Sequence, residues 1–387
     1  MVINLIHLML AIRRNDNTSR LARCCFCVVL FLLLAVASCH IANRSGQAQV
    51  VQASPADDTD SELVRTQQLL GVPVKEFPQP QGLSGFDDLP TTTPVFKFSV
   101  TPQPFSGAKP RAWYDQRKQV QARGPDGTIY EAYLGHNDPK VIVPGTRPIS
   151  TTENTRQRYG SHYGYGYNPQ DIFIGQRQAG RLNATLFFRD AGSHDTAPHY
   201  LAIDSKRRAH LAVADVNIFQ DNRLDLYWTI GDLVSGKWTE AWLIDRRGFT
   251  SWSHPWMGAW GDKVQLIWTW CNANNNRTPP GTGIFHTESS NGGFSRKVRI
   301  VAGNVKSFDA AIDPQSGRLL IVFSKDIDDG NVYVVSRSAD GSWTQPARLP
   351  VQIAQGDNGS SVEANGAGAF IIRIGSTDTN QWLLNPK

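Results

Sequence analysis

Nine histidines are spread over 387 residues, and three share one stretch, GSHDTAPHYLAIDSKRRAHLAVAD (Gly192–Asp215): His194, His199 and His210. Imidazole exchanges a proton near neutral pH, so a loop with His194, Asp195 and His199 beside Arg189 and Tyr200 holds the parts of an acid–base site. His136 in GHNDPKV and His254 in SWSHPWM occupy comparable positions. Abstracting a proton also requires a cation or a neutral donor to stabilise the negative charge that develops. The candidate catalytic residues are therefore His136, His194, His254, Arg189 and Tyr200, with His199 and Asp195 as candidate binding residues. The plain alternative is that these histidines bond loop backbone and hold neighbouring elements together. His210 lies on AHLAVA, at an inward-alternating position, and is expected to be structural. GSHYGYGYNP (Gly160–Pro169) adds Tyr163 and Tyr165, either as a sugar-stacking loop or as a connection.

The elements that must position these residues recur along the chain. DIFIGQRQAGRLNATLFF, DLYWTIGDLVSGKWTEAWLI, GIFHTESSNGGFSRKVRIV and VYVVSRSADGSWTQPARLP each read as a strand, a turn and an aromatic or apolar return. A second unit precedes most of them: YLAIDSKRRAHLAVA, GAWGDKVQLIWTW, AAIDPQSGRLLIVFS and SVEANGAGAFIIRI. Ala202, Ala259, Ala311 and Glu363 mark this unit at spacings of 52–57 residues. Hairpins without helices at such a period are the signature of four-stranded propeller blades. An all-β fold follows: a β-propeller of about six blades (five and seven also fit) over residues 94–387, with PVFKFSV near Pro94 completing the last blade.

The turns carry a resemblance. SSNGGFS (Ser289, Asn291, Gly293, Ser295) and SADGSW (Ser338, Asp340, Gly341, Trp343) resemble the Asp-box of the sialidase-like propellers, or BNR repeats. In that family the motif is a hairpin clasp and carries no chemistry. GTIYEAYLGHNDPKV, GSHDTAPHYLAIDSKRRAHLAVA and SWSHPWMGAWGDKVQLIW resemble BNR-repeat proteins that include ulvan-type polysaccharide lyases. The resemblance implies a protein that recognises an acidic polysaccharide, and in its enzymatic form cleaves it as a lyase or glycoside hydrolase. A lyase would use His or Tyr as base and Arg or His as stabiliser. The other class is a non-catalytic scaffold that binds glycans or proteins. A sialidase would need three arginines around a carboxylate and a Tyr–Glu pair. Arg111, Arg177, Arg189, Arg337 and Arg373 are available, with Glu131, Glu240, Glu288 and Glu363, but no R-I-P segment marks the domain start.

The N-terminus bears on location. Arg13, Arg14, Arg20 and Arg23 precede the uncharged run CCFCVVLFLLLAVAS (Cys24–Ser38). A basic segment before an apolar core too short to span a membrane reads as a secretory signal, residues 1–38. VASC resembles the bacterial lipobox, which makes Cys39 a lipidation site; ordinary cleavage after a small residue is the alternative. Residues 39–93, rich in Pro and polar residues, read as a flexible tether, with one short helix in DSELVRTQQLLG stopped at Gly71. Removing the signal takes away four of 39 basic and one of 34 acidic residues, leaving 35 against 33. So small an excess argues against a nucleic-acid partner. The expected product is an exported monomer, held at the membrane by its lipid alone. Cys271, the one cysteine beyond Cys39, cannot form an internal bridge. KDIDDGN (Lys325–Asn331) has calcium-loop residues but too few in order, and Asp329-Gly330 reads as a turn. No metal or cofactor is expected.

Overall fold

The computed structural model describes residues 67, 70–77, 85–104, 119–135, 141–142, 171–179, 181–188, 199–217, 223–245, 255–270, 282–290, 293–325, 330–352, 360–374 and 380–387. They belong to one compact unit, Asp58–Lys387. Gln67 and Leu70 are helical, and the Gly71 amide bonds the Gln67 carbonyl with Gly71 at φ 69°, the stop expected from sequence. Among the described residues after it, the structure is strand, turn and extended connection. Three strands come first: β1 (Val74–Glu76), β2 (Asp87–Asp88) and β3 (Phe98–Gln103).

Among the described residues five blades follow in series. Blade 1 is β4 (Gln119–Arg123), β5 (Ile129–Gly135), β7 (Asp171–Gln178) and β8 (Arg181–Phe188), with β6 (Val141–Ile142) parallel to β8 outside them. Blade 2 is β9 (His199–Ile203), β10 (Arg208–Asn217), β11 (Arg223–Asp232) and β12 (Lys237–Asp245). Blade 3 is β13 (Trp256–Trp260), β14 (Lys263–Trp270), β15 (Gly283–Ser290) and β17 (Val298–Ala302), with β16 (Gly293–Phe294) as a short arm on β15. Blade 4 is β18 (Val305–Ile312), β19 (Leu319–Lys325), β20 (Asn331–Arg337) and β21 (Ala347–Gln352). Blade 5 is β22 (Ser360–Ala364), β23 (Phe370–Ile374) and β24 (Asn380–Pro386), completed by β3 from the start of the domain. The protein is a β-propeller, and its described strands form five blades, the lowest of the counts the sequence allowed. Its last blade is finished by Phe98–Gln103, as PVFKFSV implied.

Alternation along the strands explains the stacking. On β19, Ile321 and Phe323 face blade 3 while Leu320 and Val322 face blade 5. Both faces of such a strand are buried, so it reads as an unbroken apolar run. Four apolar seams join neighbours in this way, blades 1–2, 2–3, 3–4 and 4–5. Trp228 and Trp268, fully buried in the second seam, each contribute roughly 2–3 kcal/mol.

The segment read as a tether differs from that expectation. β1 lies parallel along β12, β2 lies parallel along β17, and Val95 bridges Gln345 beside blade 4. Leu70, Phe77, Phe86 and Phe96 are buried in the seams. Pro- and Asp-rich composition concealed these anchors because they are single apolar residues separated by polar ones.

Candidate functional site

Strand direction sorts the connections onto two faces. Each blade is entered through its first strand, β4, β9, β13, β18 or β22. At the far end of these strands the chain turns tightly, at Gly124–Thr128, Asp204–Arg208, Gly261–Asp262, Asp313–Arg318 and Asn365–Ala369. At the near end stand the connections that lead into first strands and join second strands to third ones. This near end is the loop face, the far end the turn face. His136 directly follows Gly135, the last residue of β5. Arg189, His194 and Asp195 stand between β8 and β9, His254 between β12 and β13, and Tyr163 and Tyr165 between β6 and β7. The ends of β5, β7, β8, β9, β12 and β13 next to these segments are on the loop face; the candidates themselves lie outside the described residues, as do Cys39, Cys271 and 326–329. His199 opens β9 with its backbone paired to Val213.

Tyr200 is the candidate whose side chain is described. It follows His199 on β9, is partly buried, and packs against the seams of blades 1–2, 2–3 and 3–4, which places it toward the axis. Its ring lies 6.1 Å from that of Trp256, the first residue of β13. Burial, and then the Asp309 carboxylate, hold the phenol well above its ordinary value. Such a phenol is a hydrogen-bond donor and resists acting as a phenolate base.

Asp309 escaped the sequence reading. It sits in β18, partly buried, and its carboxylate accepts from the Ala310 amide (2.9 Å) and from the Val362 amide of blade 5 (2.8 Å). Enclosure outweighs those two bonds and pushes its pKa up to about 6. A signal was available. The amides of Asp204, Asp313 and Asn365 close the hairpins of blades 2, 4 and 5 on Arg208, Arg318 and Ala369. Counting four residues back from each gives Tyr200, Asp309 and Ser361. These residues occupy one level of the structure. The Ser361 and Ser360 hydroxyls are buried and have no partner among the described residues. With Trp256 beside Tyr200 and Ser360 next to Ser361, this region presents a phenol, an indole, a carboxyl with a raised pKa and two hydroxyls. It can hydrogen-bond a polyhydroxylated ligand and hold or release one proton. Among the described residues no group of three His, Cys, Asp or Glu is placed to hold a metal ion.

His210, His286 and three arginines each bond a partner within the fold. His210 bonds Asp204 through Nε2 (3.2 Å) and accepts from the Trp228 indole through Nδ1 (3.1 Å). Burial lowers its pKa although Asp204 opposes this, so it stays neutral, the structural role its alternation implied. His286 is held neutral by burial and by Arg337, and bonds the Gln265 amide oxygen at 2.5 Å. Arg177, Arg337 and Arg373 pair with Glu131, Glu288 and Glu363 respectively. These three arginines lie in blades 1, 4 and 5, each against a protein carboxylate, and do not form the open cluster a sialidase would require. The SADGSW turn is a tight clasp in which Asp340 accepts from the Ser342 amide (2.9 Å) and hydroxyl (2.7 Å). Its Trp343 ring stands 5.0 Å from His286 across the seam. No helix among the described residues is long and apolar enough to cross a membrane.

No family model matches the chain, and no curated protein matches it. Among solved structures it is similar to the α-L-arabinofuranosidase Arb93A of Fusarium graminearum, at 11% identity and TM-score 0.40, over 76% of this chain and 84% of that one. It is similar to a protein of unknown function from Dyadobacter fermentans, at 9% identity and TM-score 0.43, over 70% and 76%. The NanB sialidase of Streptococcus pneumoniae is similar at 13% identity and TM-score 0.36, over 56% and 36%. At these identities and TM-scores neither fold nor functional residue is carried across from these proteins.

Proposed function

We propose that this protein recognises an extracellular acidic polysaccharide on the loop face of its propeller, over the level of Tyr200, Trp256, Asp309 and Ser361. The observation that carries the reading is that level itself: aromatic faces, spare hydroxyls and a carboxyl poised near neutrality are collected toward one axis. Aromatic faces suit the apolar side of a sugar ring, and hydroxyls and carboxyls suit its polar edge. In the catalytic form of this reading, His136, His194 and His254 with Arg189 supply the base and the stabiliser from the loops. Asp309 then exchanges a proton with the leaving or attacking oxygen. The chain is exported and anchored through Cys39, so that the substrate is met outside the cytoplasm.

One observation favours a binding scaffold instead. Both bonds that Asp309 accepts come from backbone, one of them linking blade 4 to blade 5, so the group also has a purely structural use. Incubating the purified protein with uronate-containing polysaccharides separates the readings. Ultraviolet absorbance reports unsaturated uronates and a reducing-end assay reports hydrolysis. Product that is lost in His194→Ala and Asp309→Asn while the fold persists supports the enzyme. Binding without product on every glycan leaves the scaffold, and neither binding nor product sinks the carbohydrate reading.

A further inference from the structure

The segment before the propeller visits the outer edges of three successive blades, 2, 3 and 4, in order. Its amides bond the rim at each stop: Phe77 to the Leu243 carbonyl (3.0 Å), Asp87 to Lys297 (2.9 Å), Leu89 to Arg299 (3.1 Å) and Phe96 to Gln345 (3.1 Å). At blade 4 the bonding is reciprocal, since the Gln345 amide bonds the Pro94 carbonyl at 2.7 Å. Side chains reinforce the stops. Arg299 forks onto Asp88 (2.5 and 2.9 Å) and lies 4.9 Å from the Phe86 ring. Lys297, only 2% exposed, donates to the Ile244 carbonyl of blade 2 (2.9 Å) and stands 5.1 Å from the Phe77 ring. One lysine of blade 3 thereby ties together its own blade, the blade before it and the lacing segment.

These stops are unequal. β1 and β2 are fifth strands, three and two residues long, and the contact at Val95 is a single bridge. Blades 2, 3 and 4 each keep four strands without them. β3 is different: six of its residues pair with Gln381–Pro386, and blade 5 has three strands without it. Short outer contacts that complete no blade open at lower cost than a strand that does.

We propose that residues 70–77 and 85–96 act as a clasp that opens separately from the blades, while β3 remains part of the domain. When the clasp is released the blades persist, the rim edges of β12 and β17 are bared, and the domain gains chain at its N-terminal end without unfolding. The boundary between clasp and domain falls between Phe96 and Phe98.

Hydrogen exchange followed by mass spectrometry on the full-length protein tests this. The amides of Phe77, Asp87, Leu89 and Phe96 should exchange at least about tenfold faster than those of β3 and β19, as expected of a sub-global opening. Phe86→Ala should speed exchange at Phe77, Asp87 and Leu89 and leave β3 and β19 unchanged. Arg299→Gln, a milder change at the rim, should do the same at Asp87 and Leu89, and added salt should mimic it in the native protein. Equal protection of clasp and β3 would overturn the proposal. So would a variant that accelerates clasp, β3 and β19 together, because the segment would then be one cooperative part of the fold.

Discussion

At the scale of the residue, Asp309 makes the sharpest prediction. Its folded pKa of about 6 lies above the ordinary 3.8, so the fold prefers the protonated acid. The stability it contributes is complete below about pH 3.8 and is lost as pH rises through about 6, a swing of roughly 2–3 kcal/mol. Asp309→Asn should therefore gain in melting temperature relative to the native protein between pH 4.5 and 7.5; a difference that does not change with pH would refute the assignment. Asp204 has the opposite sign. Burial alone would raise its pKa, but bonds from His210 and Arg208 outweigh it and hold the value at about 2. Its contribution is present above about pH 3.9 and lost as pH falls toward 2. Asp204→Ala leaves the buried His210 and the Arg208 guanidinium without their acceptor and should cost about 2–4 kcal/mol by denaturant unfolding.

At the scale of the element, the hairpins were the legible part of the sequence and the edge strands were not. LLIVFSK and KVQLIWTW announce strands buried on both faces, and the turn residues Asp204, Asp313 and Asn365 announce where the hairpins close. In each the side-chain oxygen bonds amides farther along the turn, as Asp313 does with Ser316 (2.8 Å) and Asn365 with Ala367 (2.9 Å). β1 and β2 carry no such pattern, because a strand of two or three residues buries one anchor and takes its register from its neighbour. Of the candidate site, Tyr200 was legible as a polar aromatic beside a His-rich loop, whereas Asp309 looked like any polar residue in an alternating strand. Its significance comes from enclosure by other blades, which composition does not record. The turn after β18 makes its own prediction. Gly317 has φ 69°, and a Cβ there would stand 2.5 Å from the Trp260 ring of blade 3. Gly317→Ala should lower stability by about 1–3 kcal/mol through strain and overpacking, read as a shift in the urea midpoint at constant slope.

At the scale of the whole molecule, the blades are joined by apolar seams, and the covalent chain contributes anchors to the seams from its first described residues. Deleting residues 1–66 should leave the cooperative unfolding transition in place. Deleting residues 1–104 removes β3 and leaves blade 5 with three strands, so the transition seen by calorimetry should broaden or vanish. The sorting of connections onto two faces has a further outcome, in the currency of change rather than stability. On the turn face a connection is as short as Gly261–Asp262, and its residues are committed to closing a hairpin. On the loop face, length can be added between two strands without shifting either ladder. A peptide grafted between Gln352 and Ser360 should be accepted with the melting temperature nearly unchanged, while the same graft between Gly261 and Asp262 should not. One face of this scaffold is thus free to acquire new specificities while the other keeps the register that lets it do so.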